Sequence, residues 1–147
     1  MTVYYTDRTV PVYTPGDGCA VVYPGRVAVS AAPAQDDEIR LVLIPAGTEV
    51  HRVVIKNPDL DSNGSPALAA KIGFTPADGT EGASGDDTQV KTAGAWAQAA
   101  ATTTYELFPP VQIDVDAYLN IVVTTGPGTG ATGTVYGKAE GRATGRP

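Results

Sequence analysis

An all-β fold is what the sequence predicts: an antiparallel β-sandwich, jelly-roll-like, with an extended N-terminal arm and a long Gly/Asp-rich loop. Three observations predict it. Apolar residues recur at every second position in several segments, which places them on one face of a strand. Gly (17) and Pro (12) are abundant among the 147 residues and only 18% are charged, whereas an average soluble chain has roughly 25% charged residues. Candidate strands between Gly, Pro and Asp turns number about eight to ten, which suits two packed sheets.

Residues 1–16 alternate short β-prone runs, Val3-Tyr4-Tyr5 and Thr9-Val10-Pro11-Val12-Tyr13, with polar breaks. Pro11 cannot donate to a ladder, so this segment is an edge strand or an arm laid across a neighbour. The domain proper is expected at 17–140. Its first strands are Cys19 to Tyr23 and Arg26 to Ser30, with Pro24-Gly25 as a tight turn between them.

Residues 38–74 carry the clearest pattern. Ile39, Leu41 and Leu43 alternate with Glu38, Arg40 and Val42; after Pro45-Ala46-Gly47, Val53 and Ile55 alternate with Arg52, Val54 and Lys56; then Leu68, Ala70, Ile72 and Phe74 face one way with Lys71 opposite. Period two in three neighbouring segments predicts one antiparallel sheet with a single buried face. Thr75 to Gln89 lacks apolar periodicity and reads as a long exposed loop. From 93 to 104 an Ala-rich run admits one helical turn over Trp96 to Ala101 before three β-branched threonines. Trp96 itself reads as a core filler.

In the last third, Val111, Ile113 and Val115, then Leu119, Ile121 and Val123, restore the alternation. The Gly-rich run from Gly126 to Gly133 reads as a hairpin loop, Thr134 to Glu140 as the closing strand, and 141–147 as a fraying basic tail.

Composition excludes several functions. A net charge of −6 opposes the basic surface that phosphate neutralisation needs, so no nucleic-acid partner is expected. No apolar run approaches a membrane span, and no charged and apolar leader opens the chain, so neither a membrane partner nor export is expected. Cys19 is the single cysteine, which rules out an intrachain disulfide and reads as a small buried hydrophobe beside Ala20, Val21 and Val22.

The residues also argue against catalysis, and no cofactor is expected. With His51 as the one histidine, neither a multi-imidazole metal site nor a Ser/His/Asp triad can be assembled around it, and it reads as a half-buried strand residue. Asp59-Leu60-Asp61-Ser62-Asn63-Gly64 matches the first half of a calcium loop, but Ala70 stands where bidentate oxygens are required; a polar turn explains the same letters. Gly126-Pro127-Gly128-Thr129-Gly130 lacks the Lys-Ser/Thr ending of a phosphate loop. The acidic pairs Asp36-Asp37, Asp86-Asp87 and Asp114/Asp116 read as surface loops, not as glycosidase carboxylates.

The succession of an apolar strand, Ile44-Pro45-Ala46-Gly47-Thr48-Glu49-Val50, a second apolar strand, a polar Asp/Asn/Gly turn and Ala67-Leu68-Ala69-Ala70-Lys71-Ile72-Gly73-Phe74 resembles small structural proteins of tailed-bacteriophage virions. It is most similar to head decoration, or cement, proteins. The resemblance covers 38–75 well and 111–139 loosely. It implies a non-enzymatic jelly-roll protein, assembled in the host cytoplasm, on the outer surface of the virion capsid. The implied partners are the major capsid protein and further copies of the chain, a trimer first. Contacts are then expected at Tyr4, Tyr5, Arg8 and Tyr13 in the arm, at Arg142 and Arg146 in the tail, and in the loop 75–89. The alternative is a tail- or head-fibre module that binds a host surface glycan through Trp96 or the Asp59 to Asn63 turn.

Overall fold

The computed structural model describes residues 1–7, 19–78 and 88–145. Nine strands follow in order: β1 (Val3–Tyr5), β2 (Ala20–Val29), β3 (Glu38–Ile44), β4 (Thr48–Asn57), β5 (Ala69–Pro76), β6 (Lys91–Ala95), β7 (Ala101–Ile113), β8 (Ala117–Thr125) and β9 (Gly133–Ala143). They form a five-stranded sheet, β1-β3-β8-β5-β6, over a four-stranded sheet, β2-β9-β4-β7.

The winding is that of a jelly roll. β2 pairs with β9, β3 with β8, β4 with β7 and β5 with β6, all antiparallel. These nested pairs are a long hairpin rolled until successive strands fall on opposite sheets. β1 is added outside this plan, parallel to β3.

The alternating apolar residues explain why the two sheets close on each other. Ile39, Leu41, Val53, Leu68, Ala70, Ile72, Phe74, Leu119, Ile121 and Val123 are all 0% exposed and belong to one continuous core. Burying each of the larger side chains contributes about 1.5–3 kcal/mol. Val42 and Ile44 join this core because β3 has a register shift between Arg40 and Val42, which turns Val42 inward beside Leu41 and Leu43 outward.

Several expectations are corrected. The three strands of 38–74 do not share a sheet: β3 and β5 lie in one and β4 in the other, with β8 between β3 and β5. Pro24-Gly25 is no turn, since β2 runs through it in unbroken register with β9. Gly25 is there because its backbone crosses β3: a Cβ would lie 2.0 Å from the Leu41 carbonyl oxygen. The Gly126 to Gly133 run joins β8 to β9 across the sandwich and so is not a hairpin.

No helix occurs among the described residues; Trp96 to Ala100 is a tight connection and Thr102 to Thr104 lie in β7. That connection is pinned by backbone hydrogen bonds from Trp96 N to Leu68 O and from Leu60 N to Ala97 O, with Ala97 at φ 51°. β5 continues to Pro76, taking two residues from the expected loop. Residues 141–143, expected to fray, end β9: a Cβ on Gly141 would lie 1.9 Å from the Glu49 carbonyl oxygen, and Ala143 is fully buried. Val115 lies past the end of β7 and is exposed, and Cys19, expected buried, is exposed.

Candidate partner-binding surfaces

Residues 1–7, the described part of the N-terminal segment, carry an edge strand tied to both sheets. Thr2 N donates to Asp37 Oδ1 (2.6 Å), Glu38 N to Thr2 O (2.8 Å) and Thr6 N to Arg40 O (2.8 Å), and Asp7 N then reaches Arg26 O (3.3 Å) on the other sheet. The Arg26 Nε to Asp7 Oδ2 ion pair, 2.6 Å, secures that crossing. Of the two expected contact residues on β1, Tyr4 turns inward and packs against the core. Burial, with a smaller contribution from the Asp37 charge, raises its phenol above the ordinary value.

Tyr5 turns outward and is 51% exposed. Its ring meets Tyr118 edge-on, with centroids 6.1 Å apart, and the Arg40 guanidinium lies 5.2 Å from the Tyr5 centroid and 5.6 Å from that of Tyr118. Arg40 Nε also reaches Glu38 Oε2 at 3.3 Å. Asn120, buried, donates through Nδ2 to Glu38 Oε2 (3.2 Å) and Thr75 Oγ1 (3.1 Å). Cation–π contact and hydrogen bonds thus order one face of Tyr5 before any partner arrives, which lowers the entropy lost on binding. Arg8 and Tyr13 lie outside the described residues.

Arg142 sits on the opposite sheet. Its Nε and Nη2 reach Glu49 Oε1 and Oε2 at 3.2 and 3.5 Å. His51 Nε2, 2.9 Å from Glu49 Oε1, shares that carboxylate. Arg52 pairs with Glu106 (2.7 Å) and Glu140 (3.5 Å), and Lys138 with Glu140 (2.6 Å). The Lys138 hydrogen bond, with the Lys138 and Arg52 charges, outweighs desolvation and holds the Glu140 carboxyl below its ordinary value. His51, Arg52, Glu106, Glu140, Gly141 and Arg142 line an open hollow of about 410 Å³. Its signs alternate, so it is a neutralised lattice and not the basic patch expected of the tail. Arg146 lies outside the described residues. Tyr5 and Arg142 therefore belong to two different faces.

Sequence reasoning missed the exposed apolar side chains. Val22 (57%) and Tyr136 (46%) lie on the outer face of β2 and β9, and Phe108 (95%) projects from β7. Glu106 pairs with Arg52 and Val111 with Val50, so Leu107, Phe108, Pro109 and Pro110 bulge opposite His51 alone. Leu107 is buried and anchors the bulge. The available signal was an aromatic followed by two prolines inside a β-prone run, a combination that leaves the ladder.

The weighed chemistries find little to work with. His51 lies at the β4 irregularity and is exposed, contrary to the half-buried expectation. Asp61 is 1% exposed and accepts hydrogen bonds from the N–H groups of Asn63, Ala67, Leu68, Gly128 and Thr129. Burial alone would raise its carboxyl, but those donors hold it well below the usual carboxylate range. Both oxygens face N–H hydrogens, whose polarity repels a cation, so this turn clasps the β8–β9 connection. Among the described residues no three His, Cys, Asp or Glu side chains converge as metal ligands would. Trp96, 5% exposed, offers no stacking face to a sugar. Of the acidic pairs, Asp37 and Asp116 accept backbone N–H groups of Thr2, Ala34 and Ala46, and Asp86-Asp87 lies outside the described residues.

No family model and no curated protein sequence matches the chain. Two solved structures do. A chain of the cyanophage Pam1 capsid asymmetric unit superposes with a TM-score of 0.70 at 21% identity, covering 92% of this chain and 94% of that one. A chain of the Ralstonia phage GP4 capsid superposes with a TM-score of 0.70 at 23% identity, covering 95% of this chain and 93% of that one. The fold is shared with both over more than nine-tenths of each chain.

Proposed function

We propose that the chain is a non-enzymatic decoration protein of a phage head, seated on the outer capsid surface and fastening neighbouring capsomers. The observation that carries this reading is the near-complete mutual coverage with chains from two phage capsids, 92% and 94% in one case and 95% and 93% in the other. It joins an independent resemblance in residues 38–75 to head decoration proteins. The major capsid protein is the partner. The mechanism is multivalent clamping, in which the first contact makes each further one effectively intramolecular.

Two opposite faces suit such a clamp. One presents Tyr5 with Arg40 and Tyr118; the other presents Val22, Pro24 and Tyr136 beside a hollow of about 260 Å³. Arg8, Tyr13 and Arg146 extend the proposed contact set, Tyr4 supports β1 from beneath, and Arg142, committed to Glu49, orders β4 and β9. No observation favours the glycan-binding fibre module.

The test is co-sedimentation of the purified chain with capsids that lack it, followed by cryo-EM of the particles. The expected result is added density outside the shell, weakened by Tyr5→Ala. Density confined to a tail or fibre, or no binding to capsids, overturns the proposal.

A further inference from the structure

We propose that Asn63-Gly64 is a self-modification site. The backbone nitrogen of Gly64 attacks the Asn63 side-chain amide, ammonia leaves, and water opens the resulting succinimide to aspartate and isoaspartate. The isoaspartyl product unlatches the turn that Asp61 holds closed. The chemistry uses only this chain and water, and so stands apart from any capsid role.

The chain has three asparagines, and the structure makes them unequal. Asn57 is followed by Pro58, which has no N–H to give up. Asn120 is 1% exposed within β8 and precedes the β-branched Ile121. Asn63 is half-buried, whereas Gly64 and Ser65 after it are exposed. A Cβ on Gly64 would meet nothing within 4 Å, and Gly64 is not among the glycines with positive φ. Neither crowding nor a left-handed backbone therefore demands glycine here, in contrast to the crowding at Gly25 and Gly141. Its N–H makes no hydrogen bond among the described residues, so it is open to base.

The Asn63 side chain is already folded over that nitrogen. Ser65 N donates to Asn63 Oδ1 at 2.9 Å. The ring closed by this bond contains both Cγ of Asn63 and N of Gly64, the two atoms that must join. The same N–H draws electron density from the Cγ carbonyl and stabilises its oxygen as that oxygen gains charge. Asn63 Nδ2, the leaving nitrogen, donates to Thr129 Oγ1 at 3.2 Å. In the reaction the Gly64 N–H proton passes to solvent base, the N–Cγ bond forms, and the Cγ–Nδ2 bond breaks as Nδ2 takes a proton from water. Hydrolysis then consumes one water: cleavage at Cγ gives aspartate, and cleavage at the backbone carbonyl gives isoaspartate.

The position gives the change its consequence. Asp61 Oδ1 accepts the N–H groups of Asn63 (3.3 Å) and Thr129 (3.0 Å), and Oδ2 those of Ala67 (2.7 Å), Leu68 (3.0 Å) and Gly128 (3.1 Å). Residues 61–68 and the β8–β9 connection thus meet on one buried carboxylate. Isoaspartate lengthens the backbone inside that turn by one methylene and removes the Nδ2 donor to Thr129. It also sets a second carboxylate beside Asp61, where like charges disfavour each other. Asn63 lies against Gly128, whose Cβ, if present, would stand 2.8 Å from Nδ2, so the rebuilt turn pushes on the β8–β9 connection itself.

The folded chain is held in mildly alkaline buffer beside a sample unfolded in urea, and the Asn63 peptide is followed by mass spectrometry together with ammonia release. Asp17-Gly18 and Asp78-Gly79 form isoaspartate without ammonia, so these two readouts isolate Asn63. In the folded chain Asn63 should convert while Asn57 and Asn120 keep their amides. The converted chain, separated by its extra negative charge, should exchange the Gly128 and Thr129 amides faster. It should also melt about 3 °C or more lower, the shift for one lost hydrogen bond in a chain of this length. Gly64→Ala should slow ammonia release severalfold at an unchanged melting temperature. A folded chain that keeps its Asn63 amide while the urea-unfolded one loses it overturns the proposal. So does conversion with melting and exchange unchanged, or a Gly64→Ala variant that converts as fast as the native chain.

Discussion

Replacing Asp37 should loosen the N-terminal strand from the body of the protein. Asp37 is 4% exposed, and its two oxygens accept Thr2 N at 2.6 Å and Ala34 N at 2.9 Å. A hydrogen bond to a charged acceptor is worth about 1.5–3 kcal/mol, so the pair has a gross value of about 3–6 kcal/mol. Thr2 and Ala34 are exposed residues, and water recovers part of this when the carboxylate goes. The net cost of Asp37→Ala is therefore about 2 kcal/mol. Unfolding entropy near 2.1 cal/mol/K per residue gives about 0.3 kcal/mol/K for a chain this long, hence a melting temperature lowered by about 6 °C. Asp37→Asn should do nearly as badly, because its amide NH₂ must face one of the two N–H donors. Urea and thermal unfolding measure the loss, and hydrogen exchange at Tyr4 to Thr6 locates it. A change below about 0.5 kcal/mol, the range of an unremarkable surface substitution, or an Asp37→Asn variant as stable as the native chain, would refute the reasoning.

A depressed carboxyl such as Asp61 contributes stability that is fully present above its ordinary value of 3.8 and lost as pH falls toward the folded value. Thermal melts of the native chain should therefore decline below about pH 4, and Asp61→Asn should remove that part of the slope while lowering stability at neutral pH. Gly25→Ala should cost about 3 kcal/mol or more or prevent folding, whereas Gly64→Ala, whose Cβ would meet nothing within 4 Å, should be neutral; equal melting temperatures for the two would show that β2 and β3 are not in the close contact described. Trp96→Ala should cost about 3–5 kcal/mol in urea unfolding, and a stable variant that instead loses sugar binding would revive the glycan reading.

Period-two alternation made the inward residues legible. Leu68, Ala70, Ile72 and Phe74 face the core as their spacing requires, and so do Val53 and Ile55. What alternation cannot carry is the identity of the neighbouring strand. β3, β4 and β5 have the same pattern whether they pair with one another or cross between sheets, because each buries one face in either arrangement. The crossing is decided by contacts far apart in sequence, such as β3 with β8 and β2 with β9. Pro24-Gly25 misled for a related reason: the pair has turn chemistry, but here Gly serves the close approach to Leu41 that packing two sheets demands. Thr102 to Thr104 followed their β-branched preference, and the alanines before them did not form a helical turn because residues 96–100 are held by Leu68 and Leu60.

The candidate surfaces were less legible because binding side chains occupy the positions that alternation leaves outward, where solvent and partner require nearly the same letters. Tyr4 and Tyr5 show this. As adjacent strand residues they must face opposite ways, so only one of the pair could be available, and the parallel pairing with Ile39 and Arg40 puts Tyr5 outside. That pairing also gives Tyr5 a partly ordered ring beside Arg40 and Tyr118, whereas Arg142 spends its charge on Glu49 and contributes order to β4 and β9 instead. An exposed side chain supplies specific contact only if it is both uncommitted and held in place.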